Sequence, residues 1–289
     1  VHLSDPTRTR LAVLGSPIGH SLSPTLHAAA YRVLDLPFEY GRHEVVSGEL
    51  EGFVAGLGAE WRGLSLTMPL KREVLPMLDR TTPLVDQLGV ANTLAFRSEG
   101  PSTVLAGANT DVDGMVRPVQ ALGHLPREAT ILGGGATAAS AVSACHRLGA
   151  TTVRVFVRDT ARAAHLVDLA VRLGVTIELD TFGALPSSGP HAFVVSTLPG
   201  GAADDLVVTP SGADAVLLDV AYDPWPSAIA ERWRAAGGRT LSGLDMLVEQ
   251  AIGQIRFFVG DDTETPLPRE DAVRIAMRTS VRLPAAIDG

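Results

Sequence analysis

The sequence predicts an α/β protein of two domains, the second built on a doubly wound parallel sheet. Three observations carry this expectation. The chain has 289 residues, more than one average domain needs. Between residues 129 and 241, apolar runs of strand length alternate with runs at helical spacing. A glycine-rich turn, Gly133-Gly134-Gly135, joins a strand-like run to a helix-like one.

In order along the chain, residues 11–14 form a short apolar strand. The loop Gly15-Ser16-Pro17-Ile18-Gly19-His20-Ser21-Leu22-Ser23 follows, then a helix capped by Ser23 with Pro24 in its first turn and Leu26, Ala29, Ala30 and Val33 at helical spacing. Residues 38–46 are strand-like, 49–57 a short helix and 63–66 a strand. Met68-Pro69 opens a helix carrying Val74, Leu75 and Leu78. Residues 92–96 and 103–106 read as two strands across a turn-rich stretch. A helix over 112–122 leaves the first domain. The second domain runs strand 129–132, helix 138–148, strand 152–157, helix 161–173, strand-length runs 175–179, 193–196 and 215–220, helix 227–236 and strand 239–241. The helical tail, 244–259 and 270–279, does not continue this alternation and is expected to return to the first domain. The expected domains are therefore 1–112 completed by 242–289, and 113–241, with a cleft between them.

Composition narrows the function. Hydrophobic residues are 46% and charged residues 19%, which excludes a disordered or low-complexity chain. A net charge of -8 gives no electrostatic reason to bind nucleic acid or an anionic membrane. The charge-free stretch 129–146 is too rich in Gly, Ser and Thr for a membrane span. One cysteine, Cys145, excludes an internal disulfide and a Cys-rich metal site, and the eight histidines show no metal-ligand spacing. Residues 1–10 are polar, so no signal peptide is expected and the location is expected to be cytoplasmic. Of the 24 basic residues, Lys71 is the single lysine. Arginine keeps its proton near neutrality, whereas a lysine can hand one over.

Residues 129–138, Ala-Thr-Ile-Leu-Gly-Gly-Gly-Ala-Thr-Ala, fit strand, G-x-G-x-x-A, helix. Gly133 permits the tight turn, Gly135 lets the backbone approach a pyrophosphate, Ala138 keeps helix and strand close, and the helix N-terminus supplies amide donors. This points to a dinucleotide, with Gly133, Gly134, Gly135, Ala136 and Thr137 as its binding turn. The next strand ends Val157-Arg158-Asp159-Thr160-Ala161-Arg162. Arg158 and Arg162, one helical turn apart, suit a 2′-phosphate and favour NADP. The alternative is Asp159 accepting from a 2′-hydroxyl, as in NAD sites. In the first domain, Ser21-Leu22-Ser23-Pro24, Ser65 to Lys71, and Asn92 with Asn109-Thr110-Asp111 are rich in groups that bind hydroxyls and carboxylates, although each also has a capping or turn explanation.

From about residue 11 to residue 260 the chain resembles the shikimate dehydrogenase family, which includes quinate-acting members. The matches are S-x-S-P-x-x-H (Ser21, Ser23, Pro24, His27), T-x-P-x-K (Thr67, Pro69, Lys71), A-N-T-L from Ala91, and N-T-D-x-x-G (Asn109, Thr110, Asp111, Gly114). The glycine turn, Arg158 and Arg162, the segment Asp219 to Pro224 and the segment Gly243 to Ala251 complete the series in order. The resemblance implies reversible NADP-dependent reduction of 3-dehydroshikimate to shikimate, in aromatic amino-acid (chorismate) biosynthesis. It implies that Ser21 and Ser23 hold the substrate carboxylate, and that Thr67, Asn92, Tyr222 and Gln250 bind ring hydroxyls or the carboxylate. Lys71 and Asp111 would be the catalytic pair, and the main chain around Ser196, Thr197 and Gly243 would line the nicotinamide. Hydride chemistry agrees: the alkoxide left by reduction needs a proton, which a lysine ammonium beside a carboxylate supplies.

Some positions depart from the family's pattern. Ser65 stands where many members carry asparagine, Asp159 where threonine or serine is frequent, and Gln254 lies one helical turn beyond Gln250. The paired serines favour shikimate over quinate, because threonine at the position of Ser23 is common in quinate-preferring relatives. An aminoshikimate dehydrogenase or a non-catalytic NADP sensor on the same scaffold are the other readings. A folate-pathway dehydrogenase lacks support, since no Tyr-x-x-x-Lys surrounds Lys71. The partners expected are the small-molecule substrate and NADP, with the protein a monomer or homodimer.

Overall fold

The computed structural model describes residues 7, 9–187 and 189–287; the polar start read at residues 1–6 lies outside them. The chain divides into two compact units, Val1–Thr110 with Val248–Ala286, and Asp111–Leu247 with Ile287–Gly289.

The first unit contains β1 (Arg10–Gly15), α1 (Ser23–Leu34), β2 (Glu39–Glu44), α2 (Leu50–Ala55), β3 (Trp61–Leu66), β4 (Arg80–Thr81), α3 (Pro83–Leu88), β5 (Thr93–Glu99) and β6 (Ser102–Ala108). Its six-stranded sheet runs β2-β1-β3-β5-β6-β4. Strands β1, β2 and β3 are parallel, while β5 is antiparallel to both β3 and β6. Every residue of β3 is buried, including the polar Arg62 and Ser65. Leu14, Leu64, Leu66, Leu70 and Leu94 fill the core beside the sheet, each worth about 1.5–3 kcal/mol when fully buried.

The second unit contains α4 (Asp111–Ala121), β7 (Glu128–Leu132), α5 (Ala136–Arg147), β8 (Thr152–Val157), α6 (His165–Leu173), β9 (Thr176–Thr181), β10 (Phe193–Ser196), β11 (Val216–Asp219), α7 (Ala228–Ala235) and β12 (Arg239–Ser242). The sheet order is β12-β11-β10-β7-β8-β9, parallel throughout. This is the doubly wound order, in which direction of growth reverses between β7 and β10. The strands between the edges are apolar runs because helices cover such sheets on both faces. Trp233 and Phe156 anchor one core cluster, and the Trp233 indole N–H donates to Ala215 O at 3.4 Å.

The tail forms α8 (Gly243–Gly260) and α9 (Glu270–Ser280), and from Val248 onward it belongs to the first unit. Charged side chains bolt the two helices together. Arg256 Nη2 meets Glu270 Oε1 at 2.5 Å, and Arg274 Nε meets Glu249 Oε1 at 2.7 Å. Burial alone would raise the Glu270 carboxyl, but hydrogen bonds from Arg256 and the Leu267 amide, with the charges of Arg256 and Arg274, hold it below its usual value.

Two local expectations are corrected. The helix expected from Met68-Pro69 is a run of turns ending in a 3-10 turn at Leu75–Met77. Pro76 lacks the N–H that an α-helix needs there and disfavours the helical conformation of the residue before it. Ser23 is the first helical residue of α1 and Leu22 its cap, without a side-chain bond. The local side-chain acceptor is Ser21, whose Oγ takes the Ser23 N–H at 3.4 Å. The structure also adds β4 and α3, which are only 2 and 6 residues long and carry too little periodicity to read from sequence.

Candidate functional site

The topology of the first unit brings four of its candidate segments to one end of the sheet. Parallel β1 and β3 release their loops at the same end, carrying Ser21 and Ser23 after β1 and Thr67 and Lys71 after β3. The loops are stitched together: Thr67 N–H donates to Leu14 O at 2.9 Å and Ser16 N–H to Met68 O at 3.0 Å. Antiparallel β5 begins at that end, with Thr93 paired to Ser65, and β6 finishes there, with Ala108 paired to Thr93. Asn92 therefore precedes β5, and Asn109-Thr110 follow β6, at the end from which Lys71 departs. Ala91 N–H donates to Lys71 O at 2.9 Å.

Lys71 is 8% exposed, Asn92 1% and Gln250 7%, while Ser23 is buried and Ser21 and Thr67 are half-buried. Burying the Asn92 and Gln250 amides is tolerable because they are hydrogen-bonded. Asn92 Nδ2 donates to Thr110 Oγ1 at 2.9 Å and to Gln250 Oε1 at 3.2 Å. Asn92 Oδ1 accepts from the Thr110 N–H and from the Thr93 hydroxyl, each at 2.9 Å. Asn109 Nδ2 is committed to Val90 O at 3.1 Å, which is the turn-locking explanation of that residue. Asp111 opens α4 as the first residue of the second unit and is 2% exposed. A carboxylate is favourable at a helix N-terminus.

Residues to which the sequence assigns no role complete this end. Gln254, one turn after Gln250 on α8, donates from Nε2 to Asn92 O at 3.2 Å and accepts at Oε1 from Ser65 Oγ at 2.8 Å. Tyr40 OH donates to Ser65 Oγ at 2.6 Å. The Tyr40 ring stacks on His27 at 3.8 Å between centroids, and His27 Nδ1 lies 2.9 Å from the Tyr31 hydroxyl. Burial lowers His27 to about 3, against a smaller raising effect of Gln254, so the ring is neutral. The i, i+4 spacing of the two glutamines was the available signal. Elsewhere in this unit, a surface pocket of about 300 Å³ lined by Arg80, Phe96, Arg97 and Phe257 holds none of the expected site residues.

In the second unit, the glycine turn follows β7, and Ser196 ends β10 with Thr197 just after it, so both segments lie at the carboxyl ends of the two strands where the sheet order reverses. Gly133 has φ +111, and a Cβ there would stand 2.5 Å from Thr197 Oγ1. The Thr197 hydroxyl and N–H each donate to Leu132 O at 2.9 Å, which packs the two loops together. Gly135 has an ordinary φ of -86 and caps α5 without a side-chain bond, and a Cβ on it would meet nothing within 4 Å. Packing therefore does not require glycine at 135. The open space in front of Gly135, beside the first-turn amides of Ala136 and Thr137, is where this turn could hold a pyrophosphate.

Arg158 follows β8 and Arg162 lies in the next 3-10 turn, both exposed. Asp159 Oδ1 accepts the Ala161 N–H at 2.9 Å, so that carboxylate is engaged in shaping the turn. Tyr222 is half-buried in the β11–α7 loop of this unit. That loop is set by Asp219, which accepts from Ser227 Oγ at 2.6 Å and from Ala221 N–H at 3.2 Å. Burial pushes the Asp219 carboxyl up, and hydrogen bonds from Ser227 and Ala221 pull it part of the way back. Gly243 starts α8 against Val220, whose carbonyl a Cβ would strike. Glycine at 243 has a packing reason of its own. Among the described residues no cluster of His, Cys, Asp and Glu could hold a metal ion, and no helix is long and apolar enough to cross a membrane.

A doubly wound sheet with a glycine turn at its switch point, in one chain with a second α/β unit bearing a buried lysine among amides and hydroxyls, defines a two-domain, dinucleotide-dependent oxidoreductase. Comparison with known proteins specifies it further. Residues 13–94 match the family model described as the shikimate dehydrogenase substrate binding domain. The chain is 34% identical over 278 residues to the shikimate dehydrogenase (NADP(+)) of Caulobacter vibrioides, covering 92% of this chain and 94% of that one. The crystal structure of Mycobacterium tuberculosis shikimate dehydrogenase superposes with a TM-score of 0.78 at 40% identity, over 94% of this chain and 99% of that chain. The Thermus thermophilus shikimate 5-dehydrogenase, solved in complex with NADP(H) and shikimate, gives 0.75 at 27% identity, over 94% and 99%. The chain belongs to the shikimate dehydrogenase family.

Proposed function

We propose that this protein catalyses the reversible NADP-dependent interconversion of shikimate and 3-dehydroshikimate. The observation that carries the reading is the single lysine of an arginine-rich chain. Lys71 is buried at the sheet end where Ser21, Ser23, Thr67 and Asn92 also lie, and Gln250 bonds Asn92.

In this reading the hydroxyls of Ser21 and Ser23 take the substrate carboxylate. Thr67, Asn92 and Gln250, with Tyr222, take ring hydroxyls or the carboxylate. Asn92 Nδ2 engages Gln250 Oε1, which makes the Gln250 amide nitrogen the end that donates to a ligand acceptor. Lys71 gives a proton to the oxygen that becomes the alcohol and withdraws it in the reverse direction, and Asp111 is the second member of the catalytic pair. NADP supplies or accepts the hydride when bound. The amides of Gly135, Ala136 and Thr137 would hold its pyrophosphate, Arg158 and Arg162 its 2′-phosphate, and the main chain at Ser196, Thr197 and Gly243 its nicotinamide side. In this reading the two arginines carry the preference for the phosphorylated ribose, and Asp159 shapes the turn between them by accepting the Ala161 N–H at Oδ1.

The setting proposed is cytoplasmic, with the protein a monomer or homodimer. Cys145 is the single cysteine and is free, so the chain carries no internal disulfide, which suits a reducing compartment. The test is reduced-nicotinamide absorbance with shikimate and quinate crossed against NADP and NAD. Turnover with shikimate and NADP is the expected result. Preference for quinate moves the enzyme to that branch of the family, and silence in all four combinations overturns the catalytic reading.

A further inference from the structure

Gln254 has both ends of its amide committed: Oε1 accepts the Ser65 hydroxyl at 2.8 Å, and Nε2 donates to Asn92 O at 3.2 Å. The Asn92 carbonyl takes a second donor, Leu66 N–H at 2.8 Å, so the peptide plane that leads into the Asn92 side chain is held from two directions. Ser65 in turn accepts from Tyr40 OH at 2.6 Å, and so its own proton is directed onto Gln254. Ser65 is 3% and Gln254 2% exposed, a dry setting in which consecutive hydrogen bonds reinforce one another. Tyr40 is held by its stack on His27. Asn92 closes the chain by bonding Gln250 and Thr110 through its side chain.

We propose that Tyr40, Ser65 and Gln254 form a hydrogen-bonded relay that positions Asn92, and through it Gln250, for substrate binding. These three are positioning residues: they act through Asn92 rather than by touching the reacting atoms. The relay joins segments 25 and 189 positions apart, so it has no local function in any one helix or strand. The proposal rests on the shikimate dehydrogenase reading only for the identity of the substrate. The bonds themselves place the relay behind Asn92.

The test is a double-mutant cycle with Tyr40→Phe and Gln254→Met, read on the substrate KM. Tyr40→Phe removes one oxygen and keeps the ring on His27, and Gln254→Met keeps the side-chain length. Gln254→Met is expected to raise the substrate KM about tenfold and Tyr40→Phe about threefold, the range that one or two net hydrogen bonds supply. In the double variant Tyr40→Phe should add less than about twofold, because its route to Asn92 is already cut. The NADP KM should stay unchanged. A purely structural role would lower the melting temperature and leave the substrate KM alone. Single-variant KM values equal to wild type, or effects that multiply in the double variant, would overturn the relay. The cycle is run with whichever of shikimate and quinate the wild type oxidises. A wrong substrate thus shows in the wild type and a wrong relay in the variants, while a wild type inert to both overturns both proposals.

Discussion

The two units build their candidate sites from different material. In the second, the site is mostly backbone: a glycine turn after β7, the first-turn amides of α5 and a loop packed on it by Thr197. Its parts lie within a few residues of one another or on adjacent parallel strands. In the first unit the site is a set of buried side chains brought from β1, β3, β5, β6 and α8, with Asn92 bonded to residues 18 and 158 positions away. A backbone site depends on the turn and on the room left in front of its amides, whereas a side-chain network depends on each partner's donors and acceptors. The same chain thus pairs a candidate cofactor site of local geometry with a candidate substrate site of long-range geometry.

The largest expected effect tests the side-chain half of this contrast. Lys71→Arg preserves charge, yet should lower kcat by roughly 10²–10⁴-fold with an unchanged melting temperature, because a guanidinium is a poor proton donor. A variant retaining wild-type kcat would remove Lys71 from proton transfer.

Next, the 2′-phosphate test stays in the second unit. Arg158→Ala should raise the NADP KM about 10- to 100-fold, the worth of a hydrogen bond to a charged group, while the NAD KM moves little. Equal changes for both cofactors would take Arg158 out of that role.

The glycines separate ligand from fold. Gly133→Ala meets Thr197 Oγ1 at 2.5 Å and a positive φ, and should destabilise by about 1–3 kcal/mol in denaturant titrations. Gly135→Ala meets nothing and has an ordinary φ, so it should leave stability within about 0.5 kcal/mol. Its NADP KM should nevertheless rise. If Gly135→Ala were silent in binding, the open space before α5 would not be where the pyrophosphate lies.

The smallest effect concerns acid. Glu270 has its pKa lowered on folding, so the stability it contributes is fully present above the unfolded value of 4.5 and is lost as pH falls through the lower folded value. Glu270→Gln should cost roughly 1–3 kcal/mol at neutral pH and flatten the decline of stability below pH 4.5. An unchanged acid limb would show that the α8–α9 ion pairs contribute nothing there.

How much was legible follows the same division. The alternation of strands and helices, the glycine turn and Arg158 with Arg162 can be read from neighbours in sequence, and so can the solitary Lys71. The turns at 68–77 resemble a helix in sequence because their apolar spacing is helical, and Pro76 is the one residue that speaks against it. Tyr40, Ser65 and Gln254 had no readable link, because nothing local distinguishes a hydroxyl aimed at an amide 189 positions away from one aimed at water.

By itself, then, the sequence determined the class of each unit, and it supplied the candidate backbone site at the switch point and the candidate proton-bearing side chain. These depend on periodicity, on the backbone freedom of glycine and on side-chain chemistry, all local properties. Only the tertiary structure decided that Asn92 is held by Thr110, Gln250 and Gln254, and that Ser65 serves Gln254. It also decided that glycine at 135 leaves open space while glycine at 133 and 243 is required by packing. Such assignments depend on which donor meets which acceptor after the chain has closed, and hydrogen bonds specify partners only at distances that folding creates.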